Sequence, residues 1–546
     1  MNRRKFLGSI FQSSEGVSHS AASRGSTTGV DPYNGPWTKK QVAHLLRRTM
    51  FGAAYQDINY FLGKTLPQAV DELLTPGQPP APPLNYYGQD SGAALGQTWV
   101  NASFDVSSNV NRALSLLAWC TRNMAKQARS IEEKMVLFWL NHFGTNIQVY
   151  VDARFGYKHV ATIRQHCLGN FKDMVKAITL DPAMLRFLNG DRNTKNRPDE
   201  NYARELFELF TIGKDGGQKY EESDVIEAAR VLTGYRILSN SVTYTFDSSK
   251  HDTGNKQFSA LFNYRTIAGK SGSAGQQELD ELLDMIFQVN DTALFICRKL
   301  YRYFVYYEID AQVEANVIVP MANVFRTSGY DIKAPLRLLF NSEHFFDDYN
   351  LGAVIKQPMD LLIGSLRETN AIMPSGSDFQ AEYSIWQQFG LYGGTALQQL
   401  VLAPPTVAGW QPFHQEPNYH QLWISTVTLP LRNQFTDLLV YAGLNVGNSQ
   451  LAVDTARWLE QYPNPDNVDK VIDEVIEHLL THPLSSNHKI LIRAAMLGGQ
   501  SNPNVWTQLW NDYKNNPNNP NKKKAVTDRL KSVLKYITSL DEYQLS

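Results

Sequence analysis

The chain has 546 residues, of which 43% are hydrophobic and 19% charged, with a formal net charge of −1. That length buries a large core and allows two to four domains, and the near-zero charge gives no electrostatic case for nucleic acid or an anionic membrane. No run approaches the roughly 18 apolar residues of a membrane-spanning helix. The cysteines Cys120, Cys167 and Cys297 each stand alone in apolar context. An odd count without CxxC spacing argues against a disulfide framework or a thiolate metal site and for buried free thiols.

The stretch Asn2-Arg3-Arg4-Lys5-Phe6-Leu7 resembles a twin-arginine export signal. The apolar run that follows is short, so a basic N-terminus without export is the alternative. Residues 12–30 are rich in Ser, Gly and Thr and are expected to be disordered. A first helix is predicted over 37–52, with Thr38 as N-cap and Val42, Leu45, Leu46 and Met50 at helical spacing. A second covers 66–74. The proline-rich run at 75–83 excludes helix and central strand. Residues 108–143 read as two long helices and 157–189 as two more, broken before Asp181-Pro182.

Residues 199–213 spell out one amphipathic helix between Pro198 and Gly213. Glu200, Asn201, Arg204, Glu205 and Glu208 share one face; Tyr202, Ala203, Leu206, Phe207, Leu209 and Phe210 fill the other. A helix from about Ser223 ends near Gly234. Val242, Tyr244 and Phe246 then alternate with polar residues, which predicts a small β-hairpin within 236–270. Helical periodicity returns over 276–372, a loop-rich stretch spans 373–425, and 426–540 is helical again. The expected fold class is mainly α: a large multi-helix globular domain with a β-hairpin insertion. Its parts are a signal-like or disordered 1–30, a helical part at 31–235, the insertion at 236–275, a second helical part at 276–435 and a C-terminal helical region at 436–546.

Several ordered motifs resemble a bacterial family, the domain of unknown function numbered 1800. They include His44-Leu45-Leu46-Arg47-Arg48-Thr49-Met50-Phe51-Gly52, Phe138-Trp139-Leu140-Asn141-His142-Phe143, the 199–213 helix, Ala228-Ala229-Arg230-Val231-Leu232-Thr233-Gly234-Tyr235, His251-Asp252, Arg298-Lys299-Leu300-Tyr301, Lys356-Gln357-Pro358 and Pro404-Pro405-Thr406-Val407-Ala408-Gly409-Trp410. The family usually has Asn where this chain has Asp199. The resemblance implies a mostly helical, commonly exported bacterial protein. It also implies a neighbour from the family numbered 1501, which is similar to sulfatases and alkaline phosphatases. It implies no catalytic residue.

The residues themselves suggest a polar site. Glu200, Arg204 and Glu208 stack at i, i+4, i+8, as a solvated ion-pair face, a helix brace or an acid–base group. His142 closes a helix at Gly144, as a cap or a proton shuttle. His251, Asp252 and Lys256 lie in a loop after the strand, with donors for a divalent metal or an anion. Arg230 is a candidate anion partner, and Trp410 a stacking platform for a sugar or a packing plug. Motifs of serine hydrolases, zincins, P-loop and dinucleotide enzymes are absent. Two functions stay open. One is an exported hydrolase-like enzyme with Glu200, Arg204, Glu208, His142, His251 and Asp252 in one cleft, on a polymer, sugar, sulfated or phosphorylated substrate. The other is a non-catalytic binding or assembly partner of a sulfatase-like protein. A purely structural scaffold is the third reading.

Overall fold

The computed structural model describes residues 28–374 and 376–546. The paired arginines at 3 and 4 lie outside the described residues. Residues 28–30, expected to be disordered, are tied down: Thr28 Oγ1 donates to Asp347 at 2.9 Å and His344 N to Gly29 O at 3.2 Å.

The chain is mainly helical, as its apolar periodicity requires. Helix α1 (Lys39–Thr49) buries nearly every residue, including Arg47 and Arg48. Thr38 occupies its N-cap, but the hydroxyl turns to Gln41 Oε1 at 2.6 Å instead of a backbone N–H. The helix Leu66–Leu73 starts with a full capping box between Thr65 and Gln68. Helices α2 (Val106–Ala125) and α3 (Glu132–His142) follow the proline-rich segment. The 157–189 region holds three helices rather than two: α4 (Ala153–His166), α5 (Phe171–Thr179) and Pro182–Phe187. Asn170 makes the extra break by capping the N–H groups of Lys172 and Asp173.

The 199–213 stretch is helical but not uniformly so. α6 (Asn201–Glu205) passes into a π-helical turn at Leu206–Thr211. Ile212 N and Gly213 N both bond Phe207 O at 2.9 Å. The wider turn buries Leu206, Phe207, Phe210 and Thr211 together and turns the carbonyls of Leu209 and Phe210 toward neighbours. Helix α7 (Glu222–Val231) leads to the hairpin β1 (Tyr235–Leu238) and β2 (Thr243–Phe246), in which Tyr235 faces Phe246. A second short hairpin, β3 (Lys256–Gln257) with β4 (Thr266–Ile267), completes the insertion.

Helices α8 (Gln277–Ile286), α9 (Asn290–Phe304) and α10 (Pro358–Glu368) build the centre. The 373–425 stretch carries one substantial helix, α11 (Phe379–Leu391), which packs on α2 through buried Trp386 and Phe389. The C-terminal region holds α12 (Thr428–Tyr441), α13 (Val468–Leu479), α14 (Ser486–Leu497) and α15 (Pro520–Thr538). It also contains an unforeseen hairpin, β5 (Leu444–Val446) and β6 (Ser449–Leu451). One contiguous apolar cluster runs from Val42 to Tyr543. Among the described residues no helix is long and apolar enough to cross a membrane.

Candidate functional site

The end of α3 is pinned by a distant loop. Asn141 Oδ1 accepts the N–H of Trp410 at 2.8 Å. Gly409 has φ +92° and lies against Asn141 so closely that a Cβ would overlap it. Only glycine suits both the conformation and the approach. Trp410 itself is 2% exposed, so its ring packs in the core with no face open to a ligand.

This pin fixes His142. Its Nε2 lies 3.1 Å from Phe210 O, an acceptor, so Nε2 carries the proton. Nδ1 is therefore a lone pair, and it accepts from Lys299 Nζ at 3.2 Å. The same Nζ donates to Leu209 O at 3.2 Å and lies 4.7 Å from the Phe295 ring centre. Both carbonyls belong to the π turn, whose end leaves them without helical partners. Lys299 has no ion pair among the described residues. Burial lowers its pKa to about 8; Asp215 opposes the shift and Arg302 adds to it. Burial, and then the Lys299 charge, hold His142 well below the usual imidazole range.

The acidic face of α6 is solvated and internally paired. Arg204 bonds Glu200 at 3.1 Å and Glu222 at 2.9 Å. Glu208 pairs with Lys214 and accepts from the Tyr220 hydroxyl at 3.4 Å. The side chains of Arg204, Glu200 and Glu222 are 35%, 41% and 56% exposed, which makes this a surface brace of small value. Glu205 is held above the usual carboxyl range by burial and by Glu208.

His251, Asp252, Lys256 and Arg230 do come together, around a residue the sequence did not single out. Arg230 grips Asp252 with two bonds, at 2.8 and 3.1 Å, and Glu227 at 2.6 Å. Glu278 on α8 receives Lys256 Nζ at 2.5 Å and the Lys270 N–H at 2.6 Å, with His251 Nε2 3.2 Å away. The side chains of Lys256 and Glu278 are fully buried. His251 Nδ1 faces Thr233 O at 2.9 Å. This is a closed network that staples the β insertion to α7 and α8. Among the described residues no hydrogen bond or ion pair links it to His142 or to Glu208.

Thus the expected residues form three local groups, and the one at His142 is completed by Lys299, a residue the sequence did not single out as a site residue. Its signal was present in Arg298-Lys299-Leu300-Tyr301, but the sequence does not show that position 299 meets position 142. Glu278 sits in an ordinary amphipathic pattern and carries no signal. Among the described residues no three His, Cys, Asp or Glu side chains converge as a metal would need. The three cysteines are buried free thiols, and burial pushes Cys120 up to about 12.

Fold and site define a mainly helical protein whose polar groups are gathered at helix seams, with one cationic seam at the end of a π turn. The chain belongs to the family described as Protein of unknown function (DUF1800), whose model matches residues 44–545. No curated protein and no solved structure matches the chain.

Proposed function

We propose that this protein is an acid–base enzyme of hydrolase type, in which the Lys299–His142 pair moves the proton. The observation that carries the reading is the lysine's surroundings. Its Nζ contacts only neutral acceptors, His142 Nδ1 and Leu209 O, each at 3.2 Å. An amine so placed loses its proton near neutral pH, where a general base works best. The neutral amine takes a proton from a water or hydroxyl attacking the substrate, and the resulting ammonium returns it to the leaving group. His142, its Nε2 proton held by Phe210 O, orients the amine. The arginine pair at 3 and 4 supports a substrate outside the cytoplasm, a polymer, sugar, sulfated or phosphorylated compound.

One observation favours the second reading, a non-catalytic binding or assembly protein beside a sulfatase-like partner. Lys299 and His142 also satisfy the orphan carbonyls of the π turn, a purely structural service. Hydrolysis of chromogenic esters, phosphates, sulfates and glycosides by the wild type, Lys299→Met and Lys299→Arg separates the two. The enzyme reading expects turnover that rises with pH through about 8. It also expects a loss of about a hundredfold in both variants, with the fold intact. Absence of turnover across the panel, with Lys299→Met lowering the melting temperature, replaces it with the structural one.

A further inference from the structure

A cleft of about 620 Å³ opens between α1, α13 and the segment that follows α13. It is independent of the Lys299 seam. Gly352 shapes one wall: its φ is +64°, and a Cβ there would collide with the side chains of Thr481 and His482. Leu351, Ile476 and Leu480 supply an apolar floor.

Among the described residues three buried side-chain atoms of the cleft's lining residues have no hydrogen-bond partner; one, Arg47 Nε, faces the Glu368 carboxylate, and the other two are acceptors without any counterpart. His44 is 3% exposed and lines the cleft. Its Nε2 lies 3.0 Å from Phe345 O, so that nitrogen carries the proton and Nδ1 is an acceptor. His44 Nδ1 and Thr481 Oγ1 are both buried without a hydrogen-bond partner among the described residues. Leaving such atoms unpaired costs stability, and at a cleft wall a ligand is the natural partner. Burial, and then the charge of Arg48, keep the imidazole neutral and accepting.

The charges on the walls cancel. Lys489 pairs with Asp473 at 2.7 Å, Glu474 with Lys39 at 2.6 Å and Lys40 with Asp348 at 3.1 Å. Arg47 is turned to the buried Glu368 at 3.6 Å. That leaves Lys470 and Glu477, one of each sign, so the site has no reason to select an ion. We infer that this cleft binds a neutral polyhydroxylated molecule, a sugar ring or polyol. One hydroxyl donates to His44 Nδ1, another bonds Thr481 Oγ1, and the C–H face rests on Leu351, Ile476 and Leu480. A ring with an apolar face and a hydroxyl edge matches a floor of aliphatic carbons under a few fixed polar groups.

The test is calorimetric titration of the full chain with neutral mono- and disaccharides and polyols at millimolar concentration. Putrescine and inorganic phosphate serve as charged probes. Thr481→Val removes the hydroxyl at constant shape, and Glu477→Trp, at an exposed position, fills the mouth without touching the core. At least one neutral sugar or polyol is expected to bind saturably, with affinity falling about tenfold in Thr481→Val. Binding is expected to be lost in Glu477→Trp, with both variants folded by circular dichroism. No binding by any neutral probe overturns the inference, as does equal binding to wild type and both variants. Binding of putrescine or phosphate alone overturns the neutral-ligand assignment.

Discussion

Lys299 Nζ and His142 Nδ1, 157 positions apart in sequence, meet at 3.2 Å over the carbonyls that the π turn leaves unbonded. Burial at this contact makes the lysine titrate early. Its pKa falls from 10.5 to about 8 because burial penalises the ammonium. Between about 8 and 10.5 the unfolded chain therefore holds more protons at this site than the folded one. The site's cost to folding is full below about 8 and is relieved as pH rises through that window. Following the ε-methylene resonances of isotope-labelled lysine over pH should show two lysines with midpoints near 8, Lys299 and the equally buried Lys356, and only the Lys299 signal should vanish in Lys299→Arg. A chain in which every lysine titrates at the ordinary value would contradict the contact.

The Lys256–Glu278 pair predicts a different behaviour. Both side chains are fully buried and 2.5 Å apart. Removing one partner strands the other charge, so Glu278→Gln should cost about 3–5 kcal/mol. The double variant Lys256→Met/Glu278→Leu should cost less than Glu278→Gln, because it strands no charge. Urea denaturation measures both. A single variant within about 1 kcal/mol of wild type would show that the pair is open to water.

The periodic part of this fold was legible in the sequence. Tyr202, Ala203, Leu206, Phe207 and Phe210 are buried as the helical spacing predicts, because burial is what the spacing encodes. The π turn was not legible: inserting a residue at Leu206–Thr211 preserves the apolar pattern and changes only which carbonyls are free. α11 was hidden among glycines and polar residues in a stretch that reads as loop, and its helicity rests on packing against α2. The site was partly legible. Arg230, His251, Asp252 and Lys256 do cluster, but Glu278 and Lys299 become visible only when tertiary contacts bring distant positions together.

Three buried histidines set the acid limit of stability. Burial lowers His478 to about 4 against the opposing charge of Glu368, and burial holds His44 and His142 well below the ordinary range. Below about 6.5 the unfolded chain binds protons at these sites that the folded chain refuses, so stability falls as pH falls. His478 alone accounts for about 3 kcal/mol once pH has dropped through its folded value. Its ring bonds Ala53 O at 2.8 Å and the Tyr462 hydroxyl at 2.5 Å. Melting temperatures taken between about pH 7 and about pH 4 should decline, and less steeply in His478→Gln. A flat profile would mean the rings are protonated in the fold.

The pin between Asn141 and the loop before Trp410 gives a coupled prediction. Gly409→Ala places a methyl group on Asn141 and forces a non-glycine residue to φ +92°, so it should cost about 3 kcal/mol. Asn141→Ala leaves the buried Trp410 N–H without its 2.8 Å acceptor and should cost about 1–3 kcal/mol. The two losses should not add. In the double variant the shortened side chain at 141 removes the collision with the amide group, so only the clash with the backbone carbonyl of residue 141, the backbone strain and the lost hydrogen bond remain. Thermal and urea unfolding of the four proteins in this cycle should give a sum for the singles that exceeds the double by about 1 kcal/mol. Strict additivity would mean that the loop moves away from α3 in Gly409→Ala. The end of α3 would then hold His142 against Phe210 without help from the loop.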